Sequence, residues 1–254
     1  FEVPGYFSQR KLDKIYSPIR NEKFPRKGKA SVAKKKNVVI IIIESMGREY
    51  IGKYNDGILE SGYKGYTPFL DDLIDKSLTF DYTFANGRQS IDAMPSILSS
   101  IPRFIEPFFL TPSSLNDVSG IAGELRKCGY QTGFFHGAEN GSMGFEAFAR
   151  TTGYKNYYGR TEFNKDKRFR GDLDYDGTWA IWDEPFLQFY AQTMTSMKQP
   201  FCTTVFTASS HHPYVIPEEY QSKFPEEGDN PMHKCVRYTD MALHRFFITA
   251  SKQP

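Results

Sequence analysis

Asn37-Val38-Val39-Ile40-Ile41-Ile42-Ile43-Glu44 is the stretch from which the fold can be read. Six consecutive β-branched residues with no polar alternation are expected of a parallel strand buried on both faces, central in a sheet covered by helices. The same run is the longest purely aliphatic one in the chain, and its six residues fall far short of the roughly 20 that span a bilayer.

Downstream, strand and helix patterns alternate. Thr67-Pro68 opens a helix with Thr67 as N-cap, and Phe69, Leu70, Leu73 and Ile74 share one face. Leu78, Phe80, Tyr82 and Phe84 alternate with Thr79, Asp81 and Thr83, the pattern of a half-buried strand. A loop over residues 85–89 leads into Ser90 and a short helix through Leu98. Helices are expected over residues 114–128, 144–152, 179–197 (ended or kinked at Pro185) and 235–250, and strands over 131–135 and 201–207. Residues 160–177 read as a polar loop. This rhythm, with no internal repeat, predicts an α/β sandwich on a mainly parallel sheet.

The 254 residues carry 32 Lys+Arg against 30 Asp+Glu, a net of +2 that hides two unlike parts. Residues 1–37 hold 11 basic and 3 acidic groups, a net of +8; the remaining 21 basic and 27 acidic groups give the body −6. Residues 1–37 are therefore read as a basic irregular arm, suited to anionic lipid or plain solvation, ahead of an α/β domain over 38–254. An acidic body without zinc-finger, helix-turn-helix or RRM signatures argues against a nucleic-acid partner. Hydrophobic residues at 39% and charged residues at 24% exclude disorder. Three cysteines, Cys128, Cys202 and Cys235, show no CxxC spacing, and Cys202, inside an apolar run, reads as a buried small hydrophobe.

In an open parallel sheet, ligands sit beyond the carboxyl ends of the strands. The expected strand exits supply Glu44, Ser90, His136, and His211 with His212. Each alone suits a structural role, but their convergence on one crevice marks a candidate site. At a helix start, Ser90 meets free N–H groups and the positive end of the dipole, which favour an alkoxide and an anionic substrate. Gly87 permits close backbone approach and Arg88 offers a charge-assisted donor. Ser90 lacks a GxSxG elbow, so a Ser-His-Asp esterase is disfavoured, and a divalent ion with Glu44 as a hard oxygen ligand is the better activator. Trp179, Trp182, Tyr157 and Tyr158 are candidates for lining a sugar or lipid site, with core packing as the alternative.

Five ordered blocks carry a resemblance: residues 37–47 (NVVIIIIESMG), 86–95 (NGRQSIDAMP), 134–137 (FFHG), 182–189 (WDEPFLQF) and 206–214 (FTASSHHPY). Together they resemble the extracellular catalytic domain of the lipoteichoic acid synthase-like sulfatase family, a branch of the alkaline phosphatase superfamily that also includes phosphoethanolamine transferases. The likeness covers residues 37–254. It implies an alkaline-phosphatase-like α/β/α sandwich, Ser90 as nucleophile, Glu44 and Ser90 as metal ligands, and His136 and His211 in contact with the substrate's phosphate or alcohol. It also implies one divalent cation, Mn²⁺ first with Mg²⁺ or Zn²⁺ as alternatives. The expected substrate is a phospholipid head group or a phospho- or sulfo-glycan, handled on the outer face of a bacterial cytoplasmic membrane to which N-terminal helices would hold the enzyme.

Two departures are visible. Where lipoteichoic acid synthases carry an aromatic and an Arg after the His-Gly pair to grip glycerol phosphate, this chain has Met143 and Phe145. The family's remaining metal ligands come from an Asp-His pair on a strand after the last helix, and no Asp-His dipeptide occurs here. The expectation is thus a domain incomplete at its C-terminus, binding the ion weakly or not at all. Two other functions stand as alternatives. A sulfatase would mature a Cys or Ser to formylglycine with Pro or Ala two residues on and Arg four on, where this chain has Asp92 and Met94. A catalytically incomplete module that binds anionic ligands is the other.

Overall fold

The computed structural model describes residues 5–15, 34–57, 63–80, 82–103, 105–225 and 230–252. The chain divides into two compact units, Phe1–Lys35 and Lys36–Pro254. In the first, the expectation of an irregular arm is corrected over Gln9–Ile15, which forms helix α1. The helix carries no apolar stripe to reveal it: it is held by local bonds, with Lys11 and Leu12 N–H donating to the Ser8 carbonyl and the Gln9 amide to Asp13 four residues on.

The second unit contains β1 (Val38–Ile42), α2 (Pro68–Ile74), α3 (Ser90–Ser99), α4 (Ile121–Lys127) and β2 (Gln131–His136). It continues with α5 (Phe145–Thr151), β3 (Asn156–Tyr158), α6 (Arg160–Lys165), α7 (Asp183–Thr195), β4 (Phe201–Phe206), α8 (Glu218–Gln221) and α9 (Met232–Ala250). The four strands are all parallel, in the order β1-β4-β2-β3. Neighbouring side chains along a strand point to opposite faces. Ile42, Phe134 and Phe206 accordingly pack with Met94 and Leu98 of α3, Ala122 of α4, and Phe145 and Phe148 of α5. On the other face Ile41, Phe135 and Val205 pack with Leu187, Tyr190 and Ala191 of α7 and Leu243 and Phe246 of α9. The described unit is therefore an α/β/α sandwich on a parallel sheet, as read.

Among the described strands the two inner ones are β4 and β2, and β1 is not one of them. All six residues of β4 are buried, while β1 forms an edge of the described sheet and its Val39 is exposed. Two threonines in β4 reach 0% exposure because each has a tyrosine partner: Thr203 meets Tyr190 Oη at 2.7 Å, and Thr204 meets Tyr154 Oη. Cys202 is buried beside them, as expected, and burial pushes its thiol up to about 11.

The expected strand over 78–84 is overturned. None of its described residues is in a strand, and Leu78, Phe80, Tyr82 and Phe84 are 86%, 68%, 89% and 83% exposed. Alternation specifies a strand only where a sheet edge accepts its hydrogen bonds, and none among the described residues does. The helix expected over 114–128 begins at Ile121, preceded by a 3₁₀ turn at Pro112–Leu115. The loop expected over 160–177 contains α6 and a 3₁₀ turn at Gly171–Asp174, where Phe163 packs into the core behind polar neighbours. Helix α7 starts at Asp183, so Pro185 lies in its first turn, where an N–H has no intrahelical acceptor, and does not break it.

The α7 to α9 contact under the sheet should dominate stability. Leu243→Ala, which empties a fully buried position in α9, is expected to lower the unfolding free energy by about 2–5 kcal/mol in urea titrations.

Candidate active site

Register brings the strand exits together. Phe206, the last residue of β4, pairs with Ile42 in β1 and with His136 in β2, so three strands end at one level. The residues that follow them line one cavity, which includes Glu44, Ser90, His136, Met143, Trp179 and His211. A wider opening beside it is bordered by Arg88, Gln89 and His212.

Glu44 is buried, and its backbone N–H donates to Thr207 Oγ1 at 2.9 Å, tying the exit of β1 to that of β4. Its carboxylate gathers two hydroxyls. Ser90 Oγ lies 2.9 and 2.8 Å from Oε1 and Oε2, and Ser45 Oγ, on a residue with φ +51°, donates to Oε1 at 2.9 Å. Ser90 is the first residue of α3, with Gln89 at the N-cap position and making no side-chain cap, so its hydroxyl sits at the end of the helix where N–H groups lack helical acceptors. The loop before it is held by Asp92, whose carboxylate pairs with Arg103 at 2.9 Å while its own N–H donates to Gln89 O at 2.9 Å. A Cβ at Gly87 would overlap the Asp92 carboxylate, so glycine is required there by packing.

His136 is fully enclosed, and its Nδ1 lies 3.0 Å from Phe206 O. A carbonyl can only accept, so Nδ1 carries the proton and Nε2 keeps its lone pair. Burial drives the His136 pKa down to about 4, against a smaller upward pull from that bond. The ring is thus neutral at pH 7. His211 is held differently: its ring lies 4.4 Å from that of Trp179, its Nδ1 is 3.0 Å from His212 O, and Trp179 Nε1 donates to the same carbonyl at 2.7 Å.

Asp183, which the residue-by-residue reading did not single out, fixes the loop that carries His211. Its carboxylate accepts from Ala208 N at 2.8 Å, Ser209 N at 3.2 Å and Thr239 Oγ1 at 3.0 Å, and its N–H donates to Ser209 Oγ at 2.8 Å. Burial raises its pKa to about 6 against the opposing effect of these bonds. The available signal was an acidic residue in the first turn of a helix, which also occurs at many surface positions.

The other candidates divide. Met143, at φ +51°, lines the cavity, while Phe145 is buried against His136 and Phe206 at ring distances of 5.1 and 5.3 Å. Neither side chain can grip a phosphate. Arg88 is exposed at the mouth. Trp179 lines the site, and Tyr157 packs in the core.

Glu44 and Ser90 suit a hard divalent ion in donor type, being oxygen ligands on one wall of the cavity. They do not suffice in number: among the described residues no group of three His, Cys, Asp or Glu is placed to hold a metal.

A parallel α/β/α sandwich with a serine hydroxyl at a helix start, facing a carboxylate at a strand exit, defines an alkaline-phosphatase-type domain. A family model described as Sulfatase matches residues 36–254, and the chain belongs to that family. Among its relatives, the lipoteichoic acid synthase-like YvgJ of Bacillus subtilis is 26% identical over 229 residues, covering 87% of this chain and 35% of that protein. Phosphoglycerol transferase I of Salmonella choleraesuis is 29% identical over 195 residues, covering 70% of this chain and 23% of that one. A crystal structure of an alkaline phosphatase superfamily protein from Vibrio parahaemolyticus superimposes with a TM-score of 0.72 at 26% identity, covering 87% of this chain and 52% of that one. The chain thus spans about a third or less of the length of these curated relatives.

The His136 environment makes stability depend on pH. Unfolded, the imidazole protonates near its ordinary value of 6.5; folded, it stays neutral to about 4. Between those values the unfolded chain binds more protons, so the stability this residue contributes above 6.5 is lost as pH falls toward 4. The gap in unfolding free energy between the parent and His136→Gln is therefore expected to shrink, by on the order of 2 kcal/mol, between pH 7.5 and 4.5. A constant gap in urea titrations would show an ordinary imidazole.

Proposed function

We propose that the protein is a metal-dependent phospho-group transferase or phosphodiesterase that acts through Ser90 on membrane lipid head groups or cell-envelope polymers. The observation that carries this reading is the Ser90 hydroxyl resting on the Glu44 carboxylate at 2.8 Å, at the first position of α3. Phosphoglycerol and lipoteichoic acid chemistry in the names of two relatives supports the substrate class.

Ser90 Oγ attacks phosphorus in line, and its proton leaves along the existing bond to Glu44. The Oγ–P bond forms as the P–O bond to the leaving group breaks, and the departing alkoxide takes a proton from water. N–H groups at the start of α3 and the Arg88 guanidinium face the non-bridging oxygens, whose charge grows in the transition state. In the second step an acceptor hydroxyl or water attacks the phosphoserine, and the Ser90 Oγ–P bond breaks as Oγ recovers its proton from Glu44. Neutral His136, with its lone pair at Nε2, accepts a hydrogen bond from that hydroxyl, whose proton passes on to solvent. His211, braced by Trp179, is the contact for the opposite side of the phospho-group. A divalent ion held by Glu44 and Ser90, Mn²⁺ first, would lower the pKa of the hydroxyl and neutralise phosphate charge; the two residues leave most of its coordination to other donors.

A sulfatase reading is not favoured. Position 94, where a formylglycine motif would place an arginine, is the fully buried Met94 in the core beneath α3, and position 92 is the Asp92 that pairs with Arg103. For cellular placement, the +8 arm over residues 1–37 fits an anionic membrane surface on the outer side of a bacterial cytoplasmic membrane.

Ser90→Ala is expected to lower phosphodiester turnover at least about a thousandfold, assayed with Mn²⁺ on bis(p-nitrophenyl) phosphate and on phosphatidylglycerol vesicles. Retained turnover in that variant would remove Ser90 from the mechanism. Gel filtration followed by elemental analysis should find far less than one Mn²⁺ per chain; a tightly held stoichiometric ion would show that further ligands exist.

A further inference from the structure

Four described residues other than glycine adopt the left-handed backbone region: Ser45 at φ +51°, Ser100 at +56°, Met143 at +51° and Tyr214 at +59°. A Cβ disfavours that region. Ser100 ends α3, where left-handed caps are common. The other three all border the wide opening beside Ser90, whose volume of about 420 Å³ suits a small ligand group. Backbone strain of this kind gathers where a structure clamps a ligand.

Ser45 is accounted for by its bond to Glu44. Met143 has no such bond. It lies between Gly141 and Gly144, themselves at φ +84° and +72°, so this loop uses glycine at its other left-handed positions and a large side chain at this one. That side chain is 38% exposed and belongs to none of the buried clusters, so core packing does not explain it. Tyr214 is placed by its N–H, which donates to His211 O at 3.0 Å, and by packing on Tyr50, Met232 and Val236, and it still lines the opening.

Charge around the opening is sparse. One carboxylate and one guanidinium border it, those of Glu44 and Arg88. Both oxygens of Glu44 already accept from Ser90, and Oε1 accepts from Ser45 as well; Arg88 is taken up by the oxygens of the phospho-group itself. An ammonium or a second anion on the group esterified to phosphorus would meet a thioether and an aromatic ring without a charged partner. One partly exposed ring does not make up for the hydration an ammonium loses.

We propose that Met143 and Tyr214 are specificity-determining residues: they form the seat of the group esterified to phosphorus and select an uncharged group with an apolar face over one that carries a charge. The proposal rests on the phospho-transfer reading of this site.

Ethyl phosphate, 2-aminoethyl phosphate and phosphoglycolate are two-carbon esters that differ in the charge on that group. Each is titrated, with Mg²⁺ present, into the isotope-labelled chain while the Met143 methyl and Tyr214 ring resonances are followed. Ethyl phosphate is expected to saturate both shifts and to bind at least about tenfold tighter than either charged ester. Met143→Glu should turn the order in favour of 2-aminoethyl phosphate and Met143→Lys in favour of phosphoglycolate, both read at Tyr214. Tyr214→Leu should weaken ethyl phosphate, read at Met143. Equal affinities, tightest binding of a charged ester by the parent chain, an order that neither Met143 variant changes, or no saturation by any ester would each overturn the proposal. Failure of the wider reading shows elsewhere: phosphodiester turnover retained in Ser90→Ala removes the nucleophile, whereas loss of the expected order in these titrations removes the seat alone.

Discussion

Phe206 pairs with Ile42 on one side and His136 on the other, and most of the site follows from that row. Parallel pairing sets the strand ends level, so the chain leaves β1, β2 and β4 at the same height and the next residue or two of each exit meet without long loops. A slip of one residue in β4 would turn Phe206 to the opposite face and separate Thr207 from Glu44. The ladder is protected from such a slip by its own polar contents. Thr203 and Thr204 face opposite sides of the sheet, and each is matched by a tyrosine hydroxyl from the helix layer or loop it faces, so a shifted strand would bury hydroxyls without partners.

Above that row, the functional groups are set by enclosure. His136 is neutral because it is buried, and its tautomer is chosen by the Phe206 carbonyl. The same strand residue therefore both fixes the register and decides which imidazole nitrogen is free. Asp183 plays the corresponding part on the other side of the cavity, where one carboxylate collects two backbone donors from the loop after β4 and a hydroxyl from α9. Asp240 does likewise for α2, accepting from Phe69 N and Leu70 N at 2.9 Å each. In both cases a helix-start donor or a loop is held by a carboxylate remote in sequence, a device that local capping patterns do not reveal.

The layered α/β architecture and the cluster of Glu44, Ser90, His136 and His211 were legible from residues 37–254 because both depend on local signals: unbroken β-branched runs, a serine at a helix start, and polar residues at strand exits. What escaped depended on distant partners. The β1 run reads as a central strand, yet which strand is flanked on both sides is decided by pairing and not by hydrophobicity. Asp183 and the Asp92 to Arg103 pair look like ordinary charged residues until the loops they hold are in place. The three-residue strand β3 is too short to show a period, and Thr67 stands at the N-cap as read while Asp240 takes the free N–H groups of Phe69 and Leu70.

The exposed row of Leu78, Phe80, Tyr82 and Phe84 and the outer edge of β1 have a consequence for how this chain behaves at high concentration. Among the described residues β1 lies at the edge of the sheet, and no charged side chain or proline interrupts it. Such an edge accepts a further strand, so whatever segment covers β1 also decides how readily the domain pairs with a copy of itself.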